Sequence, residues 1–404
     1  MTTRAKTLTA ARRRNATQAA LRRRNLTVFL AFVAFVAIYP ALDRALGLQL
    51  LGSVNSILIF TMLALGLNIV VGFAGLLDLG YAAFFAIGGY TAAFLTSPIS
   101  PLAAYGISTN FWVAMAVSWG IAAIFGVILG APTLRLRGDY LAIVTLAFGE
   151  IVPQAFRNLE QWTKGSKGIN PIGRPNFFGY ELSASSQVEW YYLILAVTAI
   201  SIFFIIRLHD SRLGRAWMAM REDEIAAASM GIDLVRTKLL AFALGASFSG
   251  FAGSMWAAML QVISPEQFDF SVSIMVLAMI ILGGIGNVWG VLVGGAAFGV
   301  VNNILVDRAT PWVQSLGRAL DLPALAETNL INFKLMIFGL ALVVMMLLRP
   351  EGLFPSAQRR AELHEAEEAE GEGVTVAERA LQEGALGEPP GAGREPQTDV
   401  RTGS

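Results

Sequence analysis

The chain has 404 residues, of which 55% are apolar and 15% charged, with a formal net charge of +1 and no cysteine. A soluble globular domain of this length does not carry so much apolar sequence, so the chain reads as an integral membrane protein. The lack of cysteine excludes disulfides, thiolate nucleophiles and zinc or iron–sulfur centres built on Cys ligands.

Residues 1–25 hold Arg4, Lys6, Arg12, Arg13, Arg14, Arg22, Arg23 and Arg24 without one acid, which marks a basic cytoplasmic segment. The apolar run from Leu26 to Leu42 that follows looks like the core of a signal peptide. No small-residue cleavage site precedes Asp43 and Arg44, so a retained span is expected. From Ala45 to Leu134 the only charged side chain is Asp78. At about 20 residues per crossing, this stretch holds three helices. Unbroken apolar runs, rather than alternation over about 10 residues, set aside a β-barrel.

The expected spans are Leu26–Leu42, Gln49–Val71, Gly80–Leu95, Phe111–Ala131, Tyr140–Phe156, Trp190–Leu208, Leu239–Leu260, Phe270–Leu282, Val288–Leu305 and Phe333–Leu348. The fold class is therefore all-α and polytopic, with about ten transmembrane helices in a membrane domain over residues 26–349. Arg135 and Arg137 fall in a short cytoplasmic loop, while Leu159–Glu189 and Asp307–Asn332 read as outer loops of mixed charge with Pro and Gly. From residue 350 to 404 the sequence turns to Glu, Ala, Gly and Pro and cannot bury enough surface to order itself. An acidic, disordered cytoplasmic tail is expected there, either a docking segment or a solvated extension.

Two Gly-rich apolar blocks, Gly66–Gly89 and Gly283–Gly299, flank the centre of the chain and suggest paired interrupted helices near a substrate path. In the first, Gly72, Gly75 and Gly80 break a helix at membrane depth, which survives only inside protein or beside water. Asn68, Gly72, Gly75, Asp78, Glu150, Gly283, Gly284 and Gly286 are the path candidates. Asp78 either neutralises an ammonium group on a passing solute or caps a half-helix. Glu150 is either a structural partner within the bundle or a path residue. In the second block, Gly286, Gly290 and Gly294 recur every four residues, a spacing that brings helix backbones close or opens a path.

Between the apolar blocks lies a charged island, His209 to Lys238, HDSRLGRAWMAMREDEIAAASMGIDLVRTK. Its arginines place it in the cytoplasm. Asp210 or Ser211 can cap a first short helix, and Asp223 a second that stops at Gly231. Such a compact plug suits docking on another protein, against the alternative of a solvated loop. No G-x-x-x-x-G-K-[ST] loop occurs, since TKGSKG at Thr163–Gly168 lacks the spacing, so ATP must be bound by other subunits. The two histidines, His209 and His364, sit in the island and the tail, which argues against an enzyme or a metal site.

The segments GLNIVVGFAGLLDLGYAAFFAIGGY, LRLRGDYLAIVTLAFGEIV, GRAWMAMREDEIAAASMGID and ILGGIGNVWGVLVGG resemble the permease subunits of branched-chain amino acid ABC transporters, the LivH/LivM family, and most the LivM type. The resemblance covers roughly Leu51 to Leu353. It implies a non-catalytic membrane subunit of an importer in a prokaryotic inner membrane, with both termini cytoplasmic. Its implied partners are a second LivH-like permease, two cytoplasmic ATPases that bind ATP and Mg, and an extracytoplasmic solute-binding protein, with no nucleic acid. It makes residues 209–238 the coupling loop, with Arg221, Glu222, Asp223, Glu224, Ala226, Ala227 and Gly231 at the ATPase contact. The family's Glu-Ala-Ala is interrupted here by Ile225. Permeases for urea, short amides or other amino acids share the pattern, and a secondary transporter with Asp78 and Glu150 as ion-coupling groups is the more distant rival.

Overall fold

Long apolar stretches set the architecture, because a backbone in hydrocarbon must satisfy its own hydrogen bonds and does so as helix. The computed structural model describes residues 36–319, apart from 134, 135, 137, 138, 178, 184 and 303–305, together with scattered positions in 333–349 and residues 352–354. These residues belong to a unit that ends at Phe354.

A helix over residues 36–46 (α1) precedes α2 (Leu51–Leu67), which passes into a π-helical turn at Asn68–Phe73. Then come α3 (Ala82–Thr96), the single turn α4 (Pro101–Ala104), α5 (Phe111–Thr133), α6 (Asp139–Asn158) and the short α7 (Glu160–Thr163). A two-stranded antiparallel hairpin, Asn176–Phe177 with Tyr180–Glu181, leads to α8 (Gln187–His209). The island forms α9 (Arg212–Glu222) and α10 (Glu224–Ser229), followed by α11 (Leu234–Leu260), α12 (Phe270–Gly283), α13 (Val288–Val300) and α14 (Val306–Ala319).

Among the described residues, six helical segments are long and apolar enough to cross a membrane: Leu51–Phe73, Ala82–Ala104, Phe111–Thr133, Gln187–His209, Leu234–Leu260 and Pro265–Gly283. Of the other expected spans, Tyr140–Phe156 is the more polar helix α6, and Val288–Leu305 begins as the short α13. Leu26–Leu42 and Phe333–Leu348 lie mostly outside the described residues, as do residues 1–25, Arg135, Arg137 and nearly all of the tail. Asp307–Asn332, expected to be a loop, begins instead as α14. Pro311 and Gly317 read as breakers, yet Val306, Ala309, Val313 and Leu316 keep helical spacing.

The centre of the bundle is α11, packed against α2, α3 and α5. Helices in a bilayer gain little from apolar transfer, so close packing holds them together. At the crossing of α3 and α11, a Cβ on Gly88 would lie 2.4 Å from the Gly250 Cα, which no side chain tolerates. The second Gly-rich block works similarly. A Cβ on Gly290 would stand 2.4 Å from the Gly283 carbonyl oxygen, and one on Gly294 2.4 Å from that of Met279, so α13 lies hard against α12. The polar loop on the far side is tied down as well: Ile169 and Ile263 exchange backbone hydrogen bonds, and the Arg174 guanidinium donates to Gln261 Oε1 at 2.7 Å.

Candidate coupling junction

Helix α2 ends in wide hydrogen bonds, from Ala74 N–H to the Ile69 carbonyl at 3.2 Å and from Leu76 N–H to that of Val70 at 3.0 Å. Such a π turn is a frequent mark of a functional bend. Gly75 then adopts φ +69°, a left-handed conformation that costs glycine nothing. The second interrupted segment is the turn between α12 and α13, where Gly284 and Gly286 have φ +114° and +84°. Asn287 closes it by accepting from the N–H groups of Trp289 and Gly290, as an N-cap does.

The two breaks meet. Asn68, fully buried, accepts the Gly286 N–H on its Oδ1 at 3.0 Å. Residues 352–354 brace the same turn, since Leu353 and Phe354 N–H donate to the Leu282 and Gly283 carbonyls at 2.9 and 3.0 Å, and Asn287 Nδ2 donates to the Phe354 carbonyl at 3.0 Å.

The charged island reaches this same point. Ser211, rather than Asp210, caps α9 by accepting from Gly214 N–H, and Trp217 anchors the helix by burying its ring and donating Nε1–H to the Thr237 carbonyl at 2.8 Å. One turn on, Arg221 donates from Nη1 to the Gly72 carbonyl at 2.7 Å. A cation on a carbonyl at the C-terminal end of a broken helix also meets the negative end of its dipole. The arginine stem fills the space a side chain on Gly75 would need, because a Cβ there would lie 2.7 Å from Arg221 Cγ; a Cβ on Gly286 would lie 3.3 Å from Nη1. Three segments far apart in the chain therefore converge on one guanidinium.

Asp223 caps α10 through the N–H groups of Ile225 and Ala226, and Gly231, with φ +86°, follows its end. Glu224 pairs with Lys238 at 2.6 Å, and the lysine side chain is only 8% exposed, so the island is locked to α11 by a mostly buried ion pair. Ala227 faces inward, while Glu222, Asp223 and Ala226 face out beside Ile225 and Met230, which are 70% and 84% exposed. The arrangement can hold this exposed surface rigid and transmit its displacement. Among the described residues no cluster of three or more His, Asp or Glu could hold a metal ion.

Gly72, Gly75, Asn68, Gly286 and Arg221 are thus brought together, with Gly283 and Gly284 one step away at the α12–α13 turn. Asp78 lies past the first break. Its Oδ1 accepts from Gly80 N–H at 2.9 Å, while the first free N–H of α3, on Ala82, goes to Ser273 Oγ at 2.9 Å. Its carboxylate borders a small cavity with Thr145, Phe84, Phe148 and Phe242. Glu150 stands apart, exposed on α6. Lys238, Trp217, Ser273 and the 352–354 brace carry no local motif.

Residues 49–348 match the family described as branched-chain amino acid transport system / permease component. The chain belongs to this permease family. It is 38% identical over 327 residues, covering 76% of this chain and 70% of the relative, to the high-affinity branched-chain amino acid transport system permease protein LivM of Salmonella typhimurium. A protein of that name from Escherichia coli matches at the same identity and coverage. The corresponding LivH protein of Salmonella typhimurium is more distant, 26% identical over 253 residues, with 60% of this chain and 80% of the relative covered. No solved structure matches the chain. As a membrane permease of this family, the protein carries its interrupted helices, α6 and the whole island within the matched region.

Proposed function

We propose that the permease is the membrane subunit of an ATP-driven importer of branched-chain amino acids. It works with a related second permease, with two cytoplasmic ATPases that bind ATP and Mg, and with an extracytoplasmic solute-binding protein, in the inner membrane and with both termini in the cytoplasm. The chain itself is non-catalytic. The observation that carries this reading is the reach of Arg221 from the charged island to the Gly72 carbonyl, which gives a displaced island direct purchase on both interrupted helices.

The mechanism is alternating access. Closure of the ATPases on ATP moves the docked island, and Arg221 passes that motion to the breaks at Gly72–Gly75 and Gly284–Gly286, which open or shut a path past Asn68, Asp78 and Gly283. The ATPases can shift this equilibrium only by their difference in affinity for the two conformations, so the island must be rigid. Its side-chain caps Ser211, Asp223 and Asp233, which accepts from Arg236 N–H at the start of α11, supply that rigidity with the buried Trp217 and the Glu224–Lys238 pair. Glu222, Asp223, Ala226 and Gly231 belong to the face that docks.

The test is Ile225→Asp in the assembled transporter. A charged residue at the centre of an apolar contact is expected to weaken ATPase association by about 30-fold, the loss of one strong contact residue. ATP-driven leucine uptake then collapses while the amount of permease in the membrane is unchanged. Full uptake by the variant would refute the docking role.

A further inference from the structure

Helix α6 presents a different exterior from its neighbours. Thr145 accepts the Leu79 N–H at 3.0 Å just before α3 begins, and Phe156 stacks on Tyr90 at 4.2 Å further along both helices, so α6 runs beside α3 through the bundle. Leu141, Ala142, Thr145 and Gly149 turn inward. Tyr140, Ile143, Ala147, Glu150, Gln154 and Asn158 form one exposed stripe at helical spacing.

The exposed positions of α5 and α8 include Val117, Ile124 and Ile128 on one and Ile200, Phe203 and Phe204 on the other, side chains suited to lipid tails. The α6 stripe is half polar. Glu150 lies about 16 Å along the helix from Asp139, near the middle of a hydrocarbon core of about 30 Å. The ion pairs found among the described residues do not include it. An acid at that depth is kept only where it faces protein or water, so this stripe does not face lipid.

We propose that the open face of α6 is the surface on which a second, non-identical permease subunit packs, with a hydrogen-bond donor or cation at the depth of Glu150. This rests on the importer reading above and adds the face on which that second permease packs. Two identical copies related by a two-fold axis along the membrane normal would set residues of equal depth opposite each other. Glu150 would then face Glu150 in a low dielectric, where like charges repel most strongly. A related subunit with a complementary group removes that conflict.

The chain has no cysteine, so single-cysteine variants report one position each. Ile143→Cys, Ala147→Cys and Gln154→Cys on α6, with Ile124→Cys and Ile200→Cys as comparisons, are labelled with benzophenone maleimide in native membranes holding the whole transporter, irradiated, and the adducts identified by mass. The expected result is an adduct with the second permease from the α6 positions and none from α5 or α8. An adduct of two copies of this chain from α6, or an adduct with the second permease only from α5 or α8, overturns the proposal. ATP-driven uptake by the parent chain in the same membranes separates the two readings. Uptake with the wrong adducts sinks only this surface, whereas no uptake and no co-purifying ATPase sinks the importer itself.

Discussion

Arg221 and Gly75 constrain each other. The glycine has φ +69°, and the arginine Cγ occupies the place of its absent Cβ. Gly75→Val therefore meets two costs, roughly 1–2 kcal/mol for a left-handed non-glycine residue and about 1–3 kcal/mol for displacing the packed stem. Thermal unfolding of the detergent-solubilised protein should show a clear drop in melting temperature, and an unchanged value would mean that Arg221 is not held there. A second residue-scale test concerns the Glu224–Lys238 pair. Removing the acid leaves a lysine ammonium that is 8% exposed without its counter-charge. Glu224→Gln should cost about 3 kcal/mol, the low end of the range for a buried pair because the glutamate is itself partly solvated. Adding Lys238→Met should recover most of that loss, since the two changes act on one interaction. Additive effects in the double variant would show the pair to be energetically idle.

At the scale of elements, one close contact is the crossing of α3 and α11 at Gly88 and Gly250. Gly88→Leu forces the two backbones apart and should destabilise by about 3 kcal/mol or prevent assembly, the upper end of the cost of overpacking. Gly120 on α5 has nothing within 4 Å of where its Cβ would stand, so Gly120→Ala should be neutral or raise stability by up to about 1 kcal/mol. Equal effects from the two substitutions would mean that the crossing is not a close one. The contrast marks how far the sequence could be read. Apolar runs announce α2, α3, α5, α8 and α11 because membrane length and helix length are the same physical demand. The caps Ser211 and Asp223 are visible because they act on their own helix. The contact of Arg221 with Gly72 joins residues 149 apart in the chain and depends on how α9 and α2 pack, which no local pattern encodes. The small size of Gly283, Gly290 and Gly294 was plain, but not that Gly286 belongs to a turn instead of the helix that follows it.

For the whole molecule, orientation follows from one helix and the charge at its ends. α8 has 23 residues, about 35 Å of helix, and so is long enough to hold its ends on opposite sides of a hydrocarbon core of about 30 Å. The end near His209 opens into Arg207, Arg212, Arg215 and Arg221, while the other follows a loop of mixed charge that holds Glu160, Lys164, Lys167, Arg174 and Glu181, with Glu189 in the first turn of α8. The run of arginines leads us to expect the island in the cytoplasm. Because the chain has no native cysteine, Ser185→Cys and Ser229→Cys each give a single exposed thiol, one before and one after α8. A membrane-impermeant maleimide should label residue 185 in intact spheroplasts and residue 229 only in inverted vesicles. The reverse pattern would place the island outside, where no cytoplasmic ATPase could reach Ile225 or Met230, and the route from the island through Arg221 to the interrupted helices would lose its source of motion.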